Sequence, residues 1–250
     1  KILSLHGIYS QQITELHGKI YSKISKNYED KALKWADVIT AVSKETCDYY
    51  SENGFDVLHV PNAIDLNGFP KKAIKKFEKQ IIFAGRLSKE KGIDVLLDTA
   101  KRLPPEYNLL ILGTGPEEKK VRNIANSKTN IHYLGYQPKQ DTISLIRGSD
   151  LLIQPSIMEG ISSTLLEAMG CETCIIASNV GGNPEIIENN KTGVLVEPNN
   201  AEELLDKISY LLIENEKRSA MATNGLKTVV KYDWKQVGKL YLDIYESLLH

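Results

Sequence analysis

Short runs rich in Ile, Leu and Val recur at residues 81–84, 109–112, 131–134, 151–153, 174–177 and 194–196. They are apolar almost throughout instead of alternating with polar residues, the pattern of strands buried on both faces of a parallel sheet. Amphipathic stretches separate them. Ile93, Leu96, Leu97, Ala100 and Leu103 repeat at helical spacing, and Leu204, Leu205, Ile208, Leu211 and Leu212 do so again. This alternation predicts a doubly wound α/β domain over about residues 77–230. Ahead of it the pattern predicts strand, helix, a helix ending at Trp35, a strand at 38–42, a helix over 43–53 and a strand at 57–60. Ser43 with Thr46, and Gly54, are suited to cap that last helix. Residues 70–79, polar and lysine-rich, predict a linker that few contacts cross. The first residues form an apolar run from Ile2 to Leu5 that stops at His6-Gly7, with no turn residues before it.

Composition narrows the function. The chain has 250 residues, 31 Lys+Arg against 32 Asp+Glu, and 3 Cys. The balanced charge offers no surplus to neutralise phosphates along a duplex, so no nucleic-acid partner is expected. No apolar run reaches the ~18–20 residues of a membrane span, and the expected location is cytoplasmic. Three cysteines make no disulfide framework, and Cys171-x-x-Cys174 lacks the second pair a zinc site requires. A structural role is expected for both.

The candidate chemistry lies at the predicted carboxyl ends of strands, where open α/β sheets bind ligands. Gly85-Arg86 leaves the first run of the series, and Lys91-Gly92 follows just before a helix. A guanidinium fork and an ammonium at a strand exit suit a diphosphate, although an arbitrary Arg and Lys are more often two solvated cations. Gly113-Thr114-Gly115-Pro116 places a glycine turn before another helix, so that backbone can approach a ligand. It is not a dinucleotide fingerprint. The third glycine of G-x-G-x-x-G would fall at Glu118 and the turn does not follow the first strand, which disfavours an NAD-dependent oxidoreductase. The richest segment is residues 154–170, where Glu159 and Glu167 flank Gly160-Ile161-Ser162-Ser163-Thr164 at the start of a helix. Free N–H groups and a positive helix end with an acid on either side describe a site for an anion bearing hydroxyls.

These motifs, in this order, together with Val60-Pro61-Asn62-Ala63-Ile64-Asp65 and Val180-Gly181-Gly182-Asn183-Pro184-Glu185, resemble the retaining glycosyltransferases of family 4 from Leu3 to about Leu249. The resemblance implies a GT-B fold: two Rossmann-like domains with parallel sheets facing across a cleft. It assigns residues 1–67 to a remnant of the acceptor-side domain, 68–232 to the domain binding the nucleotide sugar, and 233–250 to a helix crossing back, with Trp234 at the crossing. It implies a metal-independent transfer of a hexose from a donor such as a UDP- or GDP-hexose to a saccharide or to a lipid-linked or protein-linked acceptor, with no further cofactor. Carried over by position, Arg86 and Lys91 would bind the diphosphate. Glu159 would bind the transferred sugar and Glu167 the ribose. Gly85, Gly113, Gly115 and the amides of Gly160, Ile161, Ser162, Ser163 and Thr164 would surround donor oxygens, the backbone near Tyr136 would meet the base, and His6 would contact sugar and acceptor. Ser162 stands where the family often has a second glycine, and Cys171-Glu172-Thr173-Cys174 where it often has Cys-Gly-x-Pro.

Lys19, Lys23 and Lys26, beside Ile20 and Ile24, are expected either to face anionic lipid or to form a solvated helix face. Two other functions stay open, a nucleotide-sugar-binding module needing a separate N-terminal half and, further off, a sugar-nucleotide epimerase. The length is expected to be a deficit, since a Rossmann-like domain usually takes ~100–150 residues, and the opening strands of the first domain are expected to lie before Lys1.

Overall fold

The computed structural model describes residues 1–10, 13–14 and 18–249. Two parallel sheets organise it. The smaller contains β1 (Ile2–Leu5), β2 (Val38–Ala41) and β3 (Val57–His59) in that order. Helix α1 (Lys19–Trp35) connects into β2, and α2 (Lys44–Glu52) connects β2 to β3. The Ser43 hydroxyl accepts from the Thr46 N–H at 3.2 Å to cap α2, and Gly54 takes a positive φ of 87° beyond its end. Ile39, Leu33, Ile8 and Tyr50 form the core on one side of this sheet. The lysine-rich face named for α1 lies outside the described residues as far as the side chains of Lys19, Ile20, Lys23 and Ile24 are concerned.

The larger sheet contains β4 (Gln80–Ala84), β5 (Asn108–Leu112), β6 (Ile131–Gly135), β7 (Leu151–Gln154), β8 (Cys174–Ser178) and β9 (Val194–Val196). Its spatial order is β6-β5-β4-β7-β8-β9, all neighbours parallel. That is the doubly wound order in which the winding reverses between the first and fourth strands, here β4 and β7. Burial explains the unbroken apolar runs. Ile81, Phe83, Leu109, Ile111, Ile153 and Ile176 join one core with α3 (Ile93–Arg102) and α8 (Ala201–Ile213). Their neighbours Ile82, Ala84, Leu110, Leu152 and Ile175 join a second core with α5 (Lys139–Arg147) and α6 (Ser163–Gly170) on the opposite face. Cys171 belongs to the second core and Cys174 to the first. Burial pushes both thiols up to about 12, which makes them unreactive packing groups.

Residues 70–79 are not the weakly attached linker the composition predicts. Lys75 Nζ donates to both oxygens of the poorly exposed Asp150 at 2.9 Å, the Ile74 N–H donates to Ser144 O, and Phe77 stacks on His132 at 4.3 Å between centroids. The buried Gln80 side chain accepts from the Lys76 N–H and donates to Ser149 Oγ at 2.9 Å. Lys75 reads as solvent-facing charge in the sequence because the acid it meets, Asp150, lies 75 residues away.

Helix α9 (Asn215–Val229) packs on α6, and α10 (Trp234–Ser247) returns to the smaller sheet. Val237 and Ile244 of α10 are buried with Val60, and Ile2 and Val38 pack beside them. Asp233 caps α10 through the Lys235 N–H, and the Trp234 N–H donates to Ile64 O at 2.9 Å, although the indole itself is 54% exposed.

Candidate active site

A cavity of about 580 Å³ opens at the carboxyl ends of β4, β5 and β6, beside the reversal point of the sheet. Gly85 and Arg86 line it after β4, Gly113, Thr114 and Gly115 after β5, and Tyr136 and Gln137 after β6. Thr164 and Glu167 close it from α6, with Thr142 from α5. Of the residues expected at a donor site, Gly85, Arg86, Gly113, Gly115, Tyr136, Thr164 and Glu167 converge on this cavity, whereas His6, Lys91, Glu159 and the loop residues Gly160, Ile161, Ser162 and Ser163 do not line it.

Each wall has a local cause. Gly113 adopts φ 120°, and a Cβ there would overlap the Gly85 carbonyl. The glycine is thus required by two strand exits crossing one another, as well as by any approach to ligand. Helix α6 begins with Ser162 as N-cap, whose side chain makes no cap hydrogen bond. The N–H groups of its first turn stay directed at the cavity end, where they and the helix dipole favour negative charge. Glu167 lies one turn in, its side chain 16% exposed. Burial pushes its carboxyl up, and Lys139, 3.7 Å away, pulls it back down. Tyr136 follows Gly135 at φ 66° and leaves its ring 74% exposed at the rim.

Glu159 is held differently from what its loop position implied. Its side chain is only 7% exposed, and Oε1 accepts from Lys91 Nζ at 2.6 Å, Ser156 Oγ at 2.8 Å and Gln154 Nε2 at 3.2 Å. Lys91 ends a short 3-10 turn (Lys89–Lys91), and its ammonium goes to this buried carboxylate instead of standing beside Arg86 in the cavity. A desolvated carboxylate is costly unless a cation pairs with it. Glu159 also borders a second cavity of about 310 Å³ between the two sheets, which it shares with Gly7, Glu45, Thr46 and Asn179.

Gly160, Ile161 and Ser162 are buried, forming the floor of the loop, whereas Ser163 is exposed. A Cβ on Gly160 would overlap the His6 carbonyl, so the end of β1 lies directly against this loop. The His6 backbone is thereby brought to the site. Its ring is exposed and lines grooves on the two flanks of β1, not the cavity of Arg86 and Glu167.

Several residues at the site were missed in sequence. Gln154 and Ser156 orient Glu159, Asn62 Nδ2 donates to Ile161 O at 2.7 Å, and Glu185 Oε1 accepts from the Lys44 N–H at 2.7 Å. Asn62 and Glu185 fall inside the motifs that carried the family resemblance, with no role read for either, and Gln154 stands out as a polar residue that ends an otherwise apolar strand at the reversal point.

The family model described as glycosyl transferases group 1 matches residues 67–228. An uncharacterized glycosyltransferase of Methanocaldococcus jannaschii is 29% identical over 253 residues, covering 99% of this chain and 68% of its own length. The phosphatidyl-myo-inositol mannosyltransferase of Mycobacterium leprae is 27% identical over 237 residues, covering 93% of this chain and 60% of its own. Anabaena Alr3699/HepE, solved in complex with UDP-glucose, superposes with a TM-score of 0.84 at 20% identity over 98% of this chain and 72% of its own. At that identity the likeness establishes the fold, GT-B with parallel sheets.

Proposed function

The chain belongs to the glycosyl transferases group 1 family, and from that premise we propose that it is a retaining hexosyltransferase of family 4 whose nucleotide-diphosphate-sugar donor occupies the 580 Å³ cavity. The observation that carries this reading is the meeting of one guanidinium, one uncapped helix N-terminus and one half-buried carboxylate at the reversal point of the sheet. In this reading the Glu167 carboxylate accepts from the two ribose hydroxyls. The base, of a UDP- or GDP-hexose, lies against Gly135 and Tyr136. Arg86 and the first-turn amides of α6, Ser163 and Thr164 among them, meet the diphosphate. These charges are fixed before reaction and match the negative charge that grows on the departing diphosphate, so they favour the transition state without a metal ion.

Glu159 presents its second oxygen, Oε2, to hydroxyls of the transferred sugar, because Lys91, Gln154 and Ser156 all converge on Oε1. Lys91 thus acts on the sugar through Glu159. The acceptor hydroxyl, from a saccharide or a lipid-linked or protein-linked acceptor, attacks from the face the diphosphate leaves, which retains configuration. His6 lies within the first-sheet wall on the acceptor side. The site works on the cytoplasmic side, free or at the membrane surface; no helix among the described residues is long and apolar enough to cross a membrane.

The test is calorimetric titration of UDP, GDP and ADP, followed by hydrolysis and transfer assays with the matching sugars. Arg86→Ala and Glu167→Ala are each expected to weaken nucleotide binding on the order of 10- to 100-fold, as for a lost hydrogen bond to a charged group. Undiminished affinity in both variants refutes the placement. A second reading, a binding module that needs a separate half, is favoured by β1, which pairs only with β2 among the described residues and has open grooves of about 450 and 610 Å³ on its flanks. Nucleotide binding without hydrolysis or transfer by this chain alone would select it.

A further inference from the structure

Lys139 is misplaced by local rules. It opens α5, after Pro138 and with no side-chain cap, where the partial positive charge of the helix end disfavours a cation. Asp141 is the acid of that first turn. A residue that breaks a local preference is usually compensated elsewhere. Here the compensation lies on the next helix, in a carboxylate that lines the donor cavity: Lys139 Nζ is 3.7 Å from Glu167 Oε1, with the lysine 68% and the glutamate 16% exposed.

The other charged groups near Glu167 do not substitute for it. Arg86 lines the same cavity from the β4 exit, where a diphosphate would claim it. Cys171, one turn further along α6, is buried as a neutral thiol, and Arg147, at the far end of α5, acts on that thiol and donates to Pro70 O. Tyr136 contributes a neutral ring at the rim.

We propose that Lys139 is a positioning residue for the donor: its ammonium keeps the Glu167 carboxylate charged and available as the acceptor of the ribose hydroxyls. Without it, a poorly hydrated carboxyl facing a cavity takes up a proton more readily, and a protonated carboxyl accepts from a diol less well. The inference rests on Glu167 being the ribose ligand.

Two measurements on the whole chain separate the inference from that premise. In the first, the Glu167 carboxyl is followed by carbon-13 NMR through pH 3–9 in labelled protein, assigned with Glu167→Gln. Lys139→Met is expected to move its midpoint to higher pH, and Lys139→Arg to restore it. In the second, UDP, GDP and ADP are titrated at pH 6 and pH 8. Lys139→Met is expected to weaken binding more at pH 6 than at pH 8, by no more than about fivefold, the range of a partly exposed ion pair. An unmoved Glu167 midpoint, or an equal loss at both pH values, overturns the role of Lys139. Full affinity in Glu167→Gln, or binding of none of the three nucleotides, overturns the donor site itself.

Discussion

At the scale of single residues, the site holds two glutamates in opposite electrostatic circumstances. Glu159 has a close cation and two neutral donors, whereas Glu167 has a distant lysine and a carboxyl pushed up by burial. For an acid whose folded pKa is raised, the folded chain binds the proton more readily than the unfolded one. Its charge therefore costs stability above the folded pKa, and the cost vanishes below the unfolded value. Glu167→Gln is accordingly expected to raise the melting temperature at pH 7.5, to leave it nearly unchanged below pH 4, and to lose nucleotide affinity. A melting temperature lowered at pH 7.5 would show that the carboxylate stabilises the fold. Lys91→Met has the reverse sign. It strands a buried carboxylate and is expected to cost roughly 1–3 kcal/mol in urea unfolding, while Lys91→Met with Glu159→Leu costs less than the two single changes added.

At the scale of elements, the large sheet was legible because most of its strands are buried on both faces, so near-continuous apolar runs marked them, although the edge strand β6 is only half-buried beyond Ile131. The predicted runs at 81–84, 109–112 and 194–196 differ from β4, β5 and β9 by a residue at most. Arg86, the Gly113–Gly115 turn and Glu167 were legible for the same reason, as they sit where a marked strand or helix starts or stops. Lys91 with Glu159 was not, since the partners are 68 residues apart and meet only once β4 and β7 lie side by side. The 70–79 segment failed likewise, Lys75 finding Asp150 across the fold. The glycine turn was legible in place but only half in cause. Gly113→Ala tests the cause: with φ 120° and the Gly85 carbonyl in the way, it is expected to destabilise by about 1–3 kcal/mol even without ligand, read as a shifted urea midpoint. A change confined to nucleotide affinity would mean that the glycine serves the ligand alone.

At the scale of the whole molecule, α10 joins the large-sheet half to the small sheet, and a second set of contacts gathers around the Glu159 loop. The His6 carbonyl abuts Gly160, Asn62 holds the Ile161 carbonyl, and Gly182 donates to Gly160 O at 2.7 Å while Gly181 packs on Glu159. That last contact fixes α7 (Asn183–Ile186) to the loop, and from α7 Glu185 reaches the other half. Its Oε1 accepts from the Lys44 N–H at the start of α2, and its Oε2 faces His59 of β3 at 3.7 Å. One carboxylate thus answers a helix N–H at the start of α2 in the small-sheet half and stands on a helix joined to the Glu159 loop in the large-sheet half. Removing it with Glu185→Ala should release the Lys44 amide, whose hydrogen exchange is expected to speed up on the order of tenfold, as for a lost bond to a charged group. Glu185→Gln keeps an acceptor oxygen and should give a smaller change. If the joint transmits to the site, exchange at Ile161 and Ser162 rises with it in Glu185→Ala. Faster exchange at Lys44 with no change at Ile161 and Ser162 would show instead that the halves meet at the loop but do not move as one.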